Sequence, residues 1–135
     1  MYRLLIAEDQ TLIQSMVARL LQGQSNYKVI AAARNGKEAI RLVKEGAQPD
    51  LCLLDIQMPE MDGIECSREI KELLPETKIV FLTSYDDETY IDQAIVAKAN
   101  GYILKNIDEA AFLGALDSIM CGQFVAPQKI LETLS

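Results

Sequence analysis

Histidine is absent from this 135-residue chain, and so is tryptophan. Without histidine the chain has no imidazole base for a serine or cysteine triad, no imidazole metal ligand and no phosphohistidine of its own. Phosphate arriving from a histidine would have to come from a partner. Cysteine is scarce as well. Cys52, Cys66 and Cys121 form no metal-ligand spacing, and an odd set of three suits a reducing compartment better than a disulfide framework. Cys52, inside an apolar run, reads as a small core residue. No apolar stretch approaches the roughly 20 residues of a membrane span. The N-terminus passes from Leu4-Leu5-Ile6-Ala7 into acidic residues without the features of a signal peptide. A cytoplasmic location with no membrane partner is therefore expected. Positive charge is also short: 13 Lys and Arg against 20 Asp and Glu leave a net charge of −7, which repels a phosphate backbone. Nucleic-acid binding by these residues alone is not expected.

What is present suits one globular domain with a single core, since half the residues are hydrophobic and about a quarter are charged. Short apolar runs alternate with stretches of helical period, which implies crossover units and a mostly parallel sheet. Strands are expected at Tyr2 to Ala7, Tyr27 to Ala32, Leu51 to Leu54, Lys78 to Leu82 and Gly101 to Leu104. The intervening helices are expected at Thr11 to Leu21, Gly36 to Lys44, from Gly63 (capped by Asp62) to before Pro75, Glu88 to Ala97, and Asp108 to Met120. Gln128 to Leu134 could begin another helix.

Three of the apolar runs end on charged groups: the first on Glu8-Asp9, the third on Asp55, the fifth on Lys105. In an open parallel sheet the carboxyl ends of the strands share one edge, so these residues are expected to meet there. Crowded carboxylates repel, and a divalent cation together with a lysine would hold them. Taken singly, Glu8-Asp9 reads as a helix cap, Asp55 as a turn residue, Lys105 as a solvated lysine and Thr83 as an ordinary strand end. An ionised aspartate is a competent nucleophile for phosphoryl transfer once charge on the phosphoryl oxygens is neutralised, to which Lys105 and the Thr83 hydroxyl can contribute.

The acidic Glu8-Asp9, the run Asp55-Ile56-Gln57-Met58-Pro59-Glu60-Met61-Asp62-Gly63, Thr83-Ser84 and Gly101-Tyr102-Ile103-Leu104-Lys105 together resemble a response-regulator receiver domain of two-component signalling. The resemblance implies a flavodoxin-like, doubly wound α/β fold with a five-stranded parallel sheet of order 2-1-3-4-5 and five helices. It implies that Asp55 is the phosphoacceptor, that Asp9, Asp55 and the Gln57 carbonyl hold Mg²⁺ with Glu8 acting directly or through water, and that Lys105 contacts the phosphoryl group. Thr83 and Tyr102 would form the switch, the threonine turning toward the phosphate as the tyrosine moves from exposed to buried. Gln57 and Tyr85 would flank the approach of hydrolytic water. The partners implied are a sensor histidine kinase and, on phosphorylation, a second copy in a homodimer. The chain would take up and hydrolyse its own phosphoryl group and would not be an enzyme with a separate substrate.

Asn106 stands where many receivers carry proline, which makes the cis peptide of those relatives doubtful here. This departure and the tail Gly122-Gln123-Phe124-Val125-Ala126-Pro127 resemble the receivers that precede a LuxR/NarL-type helix-turn-helix DNA-binding domain. Residues 1–121 are then the receiver, and 122–135 lead toward an effector domain absent from these residues, through which DNA would be bound. The chain reads more readily as a fragment of a transcription factor than as a free-standing receiver. Rival readings are an unphosphorylated interaction module, a haloacid-dehalogenase-type phosphatase and a flavodoxin-like carrier. The phosphatase needs a second acid where Gln57 stands, and the carrier needs a phosphate loop where Glu8-Asp9 would repel.

Overall fold

The computed structural model of the chain describes residues 1–84 and 88–134, with the side chains of 85–91, 129, 133 and 134 outside the described set. Tyr85 and the side chains of Tyr90 and Ile91 therefore lie outside the described residues. One parallel sheet contains β1 (Tyr2–Ala7), β2 (Tyr27–Ala33), β3 (Leu51–Asp55), β4 (Lys78–Thr83) and β5 (Gly101–Leu104), in the order β2-β1-β3-β4-β5. The crossovers carry α1 (Thr11–Gln22), α2 (Gly36–Lys44), α3 (Gly63–Leu73) and α4 (Glu88–Val96), and α5 (Glu109–Met120) follows β5.

A sixth helix, α6 (Gln128–Leu134), adds to the five expected between and after the strands. Pro127 opens it, because a proline at a helix start gives up no bond the helix needs, and its carbonyl accepts from Ile130 and Leu131 N–H. Strands β3 and β4 run one residue further than their apolar runs, so Asp55 and Thr83 are themselves the last strand residues.

Strand alternation sorts the core into two layers. Leu5, Cys52, Leu54, Ile79, Phe81 and Tyr102 pack with the buried faces of α2, α3 and α4. Leu4, Ile6, Leu53, Val80, Leu82 and Ile103 pack with Val17 and Leu21 of α1 and with Phe112, Leu116 and Ile119 of α5. Strand β3 is buried throughout because helices cover both of its faces. Asn35, Asp62 and Asp108 cap α2, α3 and α5, each accepting from the backbone N–H three residues on at 2.8 Å. Asp108, expected as the first residue of the fifth helix, is its cap. No peptide bond among the described residues is cis.

The segment after α5 turns at Gly122 (φ 96°) and comes back along β5. Tyr102 N–H donates to the Val125 carbonyl at 2.8 Å, and Val125 forms a parallel bridge with Gly101. A side chain at Gly101 would meet Ile119 Cδ1 at 2.6 Å, so glycine lets α5 and the returning chain close on the strand. Phe124 meets the Tyr102 ring edge-on at 5.8 Å, and Ile130 is buried with the α2–α4 layer of the core. The outer edge of β5 is thus occupied by the chain itself rather than left as an open strand.

Gly63 ties the fold to the carboxyl edge of the sheet. Its N–H donates to the Ile56 carbonyl at 2.8 Å, and a Cβ there would stand 2.2 Å from the Asp55 carbonyl oxygen. The contact is with backbone, which has no rotamer to give way. Gly63→Ala is expected to destabilise the domain by about 2 kcal/mol or more through this overlap, read as a lower midpoint in urea unfolding. Gly114→Ala, at a glycine whose Cβ would meet nothing within 4 Å, is the control and should leave the midpoint unchanged or raise it.

Candidate functional site

The order of strands reverses between β1 and β3, and the crevice outside their carboxyl ends is where open α/β sheets place ligands. Glu8 and Asp9 leave β1 there, Asp55 ends β3, and Lys105 follows β5. The ladder is prolonged at both places by single bonds: Glu8 N–H donates to the Ala33 carbonyl at 3.0 Å, and Lys105 N–H to the Thr83 carbonyl at 2.8 Å. These bonds fix the backbone of the charged residues to the sheet.

The side chains converge. Carboxylate oxygens of Glu8, Asp9 and Asp55 all lie within 4.8 Å of one another. Glu8 and Asp55 are buried, at 1% and 4% exposure, while Asp9 is open to solvent. Lys105 Nζ lies 2.7 Å from Glu8 Oε1 and donates to Asp55 Oδ2 at 3.1 Å. The approach to Glu8 Oε1 is an ion pair without hydrogen-bond alignment, so that buried oxygen keeps accepting capacity.

Capping does not explain the acidic pair. Gln10 occupies the cap position of α1 and makes no side-chain cap bond, and Glu8 Oε2 accepts instead from Gln10 N–H at 3.1 Å. Gln14, in the first turn of α1, was not among the expected site residues. Its side-chain amide donates to the Ala33 carbonyl at 3.0 Å and to the Glu8 carbonyl at 3.3 Å, which fixes the strand end from which both acids project. Nothing in the sequence pattern marks it, because its partners are backbone atoms supplied by the fold.

Gln57 sits on the loop after Asp55, and its N–H donates to Asp55 Oδ1 at 3.3 Å. Thr83 is buried at the end of β4, in the strand that pairs Asp55 with Leu82. Tyr102 stands apart from the charged cluster. It is buried, with the Phe81 ring at 5.8 Å on one side and Phe124 at 5.8 Å on another. Burial pushes its hydroxyl pKa up.

Charge explains the electrostatics of the cluster. Burial, and then the Glu8 carboxylate beside it, push Asp55 up to about 8, against the opposing pull of Lys105. Burial disfavours the Lys105 ammonium, but its contacts with Glu8 and Asp55 outweigh that and raise its pKa overall. Three carboxylates thus face one ammonium, a deficit that a single divalent cation would make up. An all-oxygen donor set of this kind fits a hard ion such as Mg²⁺, which takes one or two carboxylates and keeps several waters.

Residues 4–117 match the family described as the response regulator receiver domain. The chain is 35% identical over 130 residues to the transcriptional regulatory protein LnrK of Bacillus subtilis (strain 168), covering 96% of this chain and 59% of that protein. It therefore spans less than two thirds of that relative. Among solved structures, a LuxR-family two-component response regulator from Aurantimonas sp. SI85-9A1 superposes with a TM-score of 0.87 at 27% identity, over 97% of this chain and 93% of the other. The signal receiver domain of the putative response regulator NarL from Mycobacterium tuberculosis gives 0.82 at 28% identity, over 90% and 98%.

An acid whose pKa is higher folded than unfolded binds more protons in the folded state. Its stabilising contribution is complete below the unfolded value and falls as pH rises toward the folded one. For Asp55 the window runs from its ordinary value of 3.8 to about 8. Metal-free protein is therefore expected to lose stability across that range, as measured by chemical unfolding at a series of pH values. Asp55→Asn should remove most of the slope and raise stability at neutral pH, and Mg²⁺ should flatten the wild-type curve. A wild-type curve already flat without metal would contradict the assigned strain.

Proposed function

This chain belongs to the response regulator receiver domain family, and on that premise we propose that it is switched by a phosphoryl group taken onto Asp55 from a sensor histidine kinase. The observation that carries the reading is the set of carboxylates on Glu8, Asp9 and Asp55 with Lys105 bridging two of them. Asp9, Asp55 and the Gln57 carbonyl would hold Mg²⁺, with Glu8 acting directly or through water. When bound, the ion supplies positive charge for the phosphoryl oxygens.

Asp55 acts as nucleophile. One carboxylate oxygen bonds to phosphorus, the bond from phosphorus to the donor's imidazole nitrogen breaks, and the electron pair leaves with that nitrogen. The product is an acyl phosphate, hydrolysed later by water at the same residue, so no separate substrate is turned over. The attack requires the ionised form of Asp55, and a cation at the cluster favours that form by opposing the effect of Glu8. Lys105, held charged by Glu8, stays in place to contact the incoming phosphoryl oxygens.

The output is conformational. The Thr83 hydroxyl turns toward the new anion and Tyr102 responds, and phosphate shifts the balance only through contacts that differ between the two states. The burial of Tyr102 between Phe81 and Phe124 supports reading it as the residue that responds. Residues 1–121 act as the receiver and 122–135 lead toward an effector domain that binds DNA, in keeping with the transcriptional regulatory proteins among its relatives. Phosphorylation favours a homodimer, and the protein acts in the cytoplasm.

Incubation with Mg²⁺ and a small-molecule phosphodonor is expected to add one phosphoryl group by intact mass. Asp55→Asn should add none, and chelation of the metal should slow uptake by about a hundredfold or more, the scale of losing several kcal/mol of charge stabilisation. A wild-type chain that gains no mass would instead identify an interaction module that works unphosphorylated.

A further inference from the structure

We propose that Asn35 and Glu60 are positioning residues for the acceptor site, a latch by which the turn after β2 holds the loop that follows Asp55 in place for the metal ion and the phosphoryl group. The inference rests on the reading above and adds to it two residues from outside the charged cluster. The loop of residues 56–62 carries Gln57, whose N–H donates to Asp55 Oδ1 at 3.3 Å and whose carbonyl that reading assigns to Mg²⁺. Gly63 N–H closes the base of the loop on the Ile56 carbonyl, and Met61 N–H closes its far end on the Pro59 carbonyl, both at 2.8 Å. Neither bond reaches beyond the loop and the start of α3.

A separate segment, the turn between β2 and α2, also holds the loop. Gly36 N–H donates to the Met61 carbonyl at 3.2 Å, and a Cβ at Gly36 would stand 2.7 Å from that oxygen, so two backbones meet here. Beside this contact the Asn35 amide is used at both ends: Oδ1 accepts from Glu38 N–H at 2.8 Å and caps α2, while Nδ2 donates to Glu60 Oε2 at 3.0 Å. A backbone N–H only donates and an ionised carboxylate only accepts, so these two partners fix which end of the amide is which. Glu60 stands at φ 68°, in the left-handed region where a side chain is a cost that glycine avoids. Glutamate at this turn therefore works against its backbone. What it supplies that glycine would not is the carboxylate gripped by Asn35. A loop tied to a second segment at two adjacent points samples fewer arrangements, which keeps Gln57 on Asp55 for a larger share of the time.

The test combines three measurements: the rate of phosphoryl uptake from a small phosphodonor by intact mass, Mg²⁺ affinity by calorimetry, and the urea midpoint of metal-free protein. Asn35→Asp keeps the cap of α2, since aspartate caps as well as asparagine, but removes the donor to Glu60 and sets a like charge beside it. Glu60→Gly removes the acceptor and relaxes the backbone. The two variants change net charge in opposite directions, so a purely electrostatic effect would move them apart. Both are expected to slow uptake and to weaken Mg²⁺ binding by about threefold or more, with the Glu60→Gly midpoint unchanged or higher. Asn35→Asp/Glu60→Gln exchanges donor and acceptor across the same contact and should recover wild-type uptake and affinity. Single variants that match wild type, that move in opposite directions, that lose uptake and affinity only in step with the midpoint, or that the exchange does not rescue would overturn the proposal. Wild type that binds Mg²⁺ but gains no phosphoryl mass sinks the acceptor, and the Mg²⁺ affinities of the same variants then decide the latch. Wild type that neither binds the ion nor gains the mass sinks both.

Discussion

The Lys105 ammonium, shared between Glu8 and Asp55 at the end of the sheet, is the contact on which the site depends. Two buried carboxylates at this separation would otherwise exclude one another's charge, and even with the lysine present Asp55 is driven well above the ordinary carboxylate range. The arrangement is thus under-compensated: one ammonium faces three carboxylates, of which Asp9 is open to solvent. Three carboxylates gathered around one ammonium leave an uncompensated negative charge of the kind that attracts a hard metal ion.

The rest of the fold serves to keep these groups at one place. Parallel strands direct three chain segments to one edge, and single backbone bonds beyond the ladders hold Glu8 to Ala33 and Lys105 to Thr83. Gln14 braces the end of β1 from α1, and Gly63 lets α3 start directly against the Asp55 carbonyl. Each of these acts on backbone rather than on the carboxylate side chains, which restricts the acids without consuming their oxygens.

The two core layers give the molecule two different outer sides. On one, α4, β5 and the returning tail share Tyr102, Phe124 and Ile130, so the tail is continuous with the layer that contains the tyrosine. On the other, α1 and α5 leave a groove that reaches Lys105 and is bordered by uncovered apolar side chains. Asp55 lies between the two sides, paired with Leu82 of β4 and bonded to Lys105, which lines the groove.

Strand and helix positions were readable along the chain because apolar runs and helical periods are local signals, and β1, α2 and β5 fall at the residues their patterns mark. Asp62 as the cap of α3 and a helix beginning at Gln128 were readable for the same reason, since both depend on neighbouring residues. Convergence of Glu8, Asp9, Asp55 and Lys105 followed from strand ends sharing one edge. Gln14 had no such signal, because its acceptors are carbonyls brought to it by β1 and β2. The docking of Phe124, Val125 and Ile130 on β5 was equally hidden, as a short polar and apolar tail reads the same whether it packs or not. Residue types and periodicity fix what each segment can form and which groups reach the sheet edge, because those depend on near neighbours. Distances between carboxylates, the burial that shifts Asp55 and the covering of β5 arise from contacts between remote segments, which exist only once the chain has closed on itself.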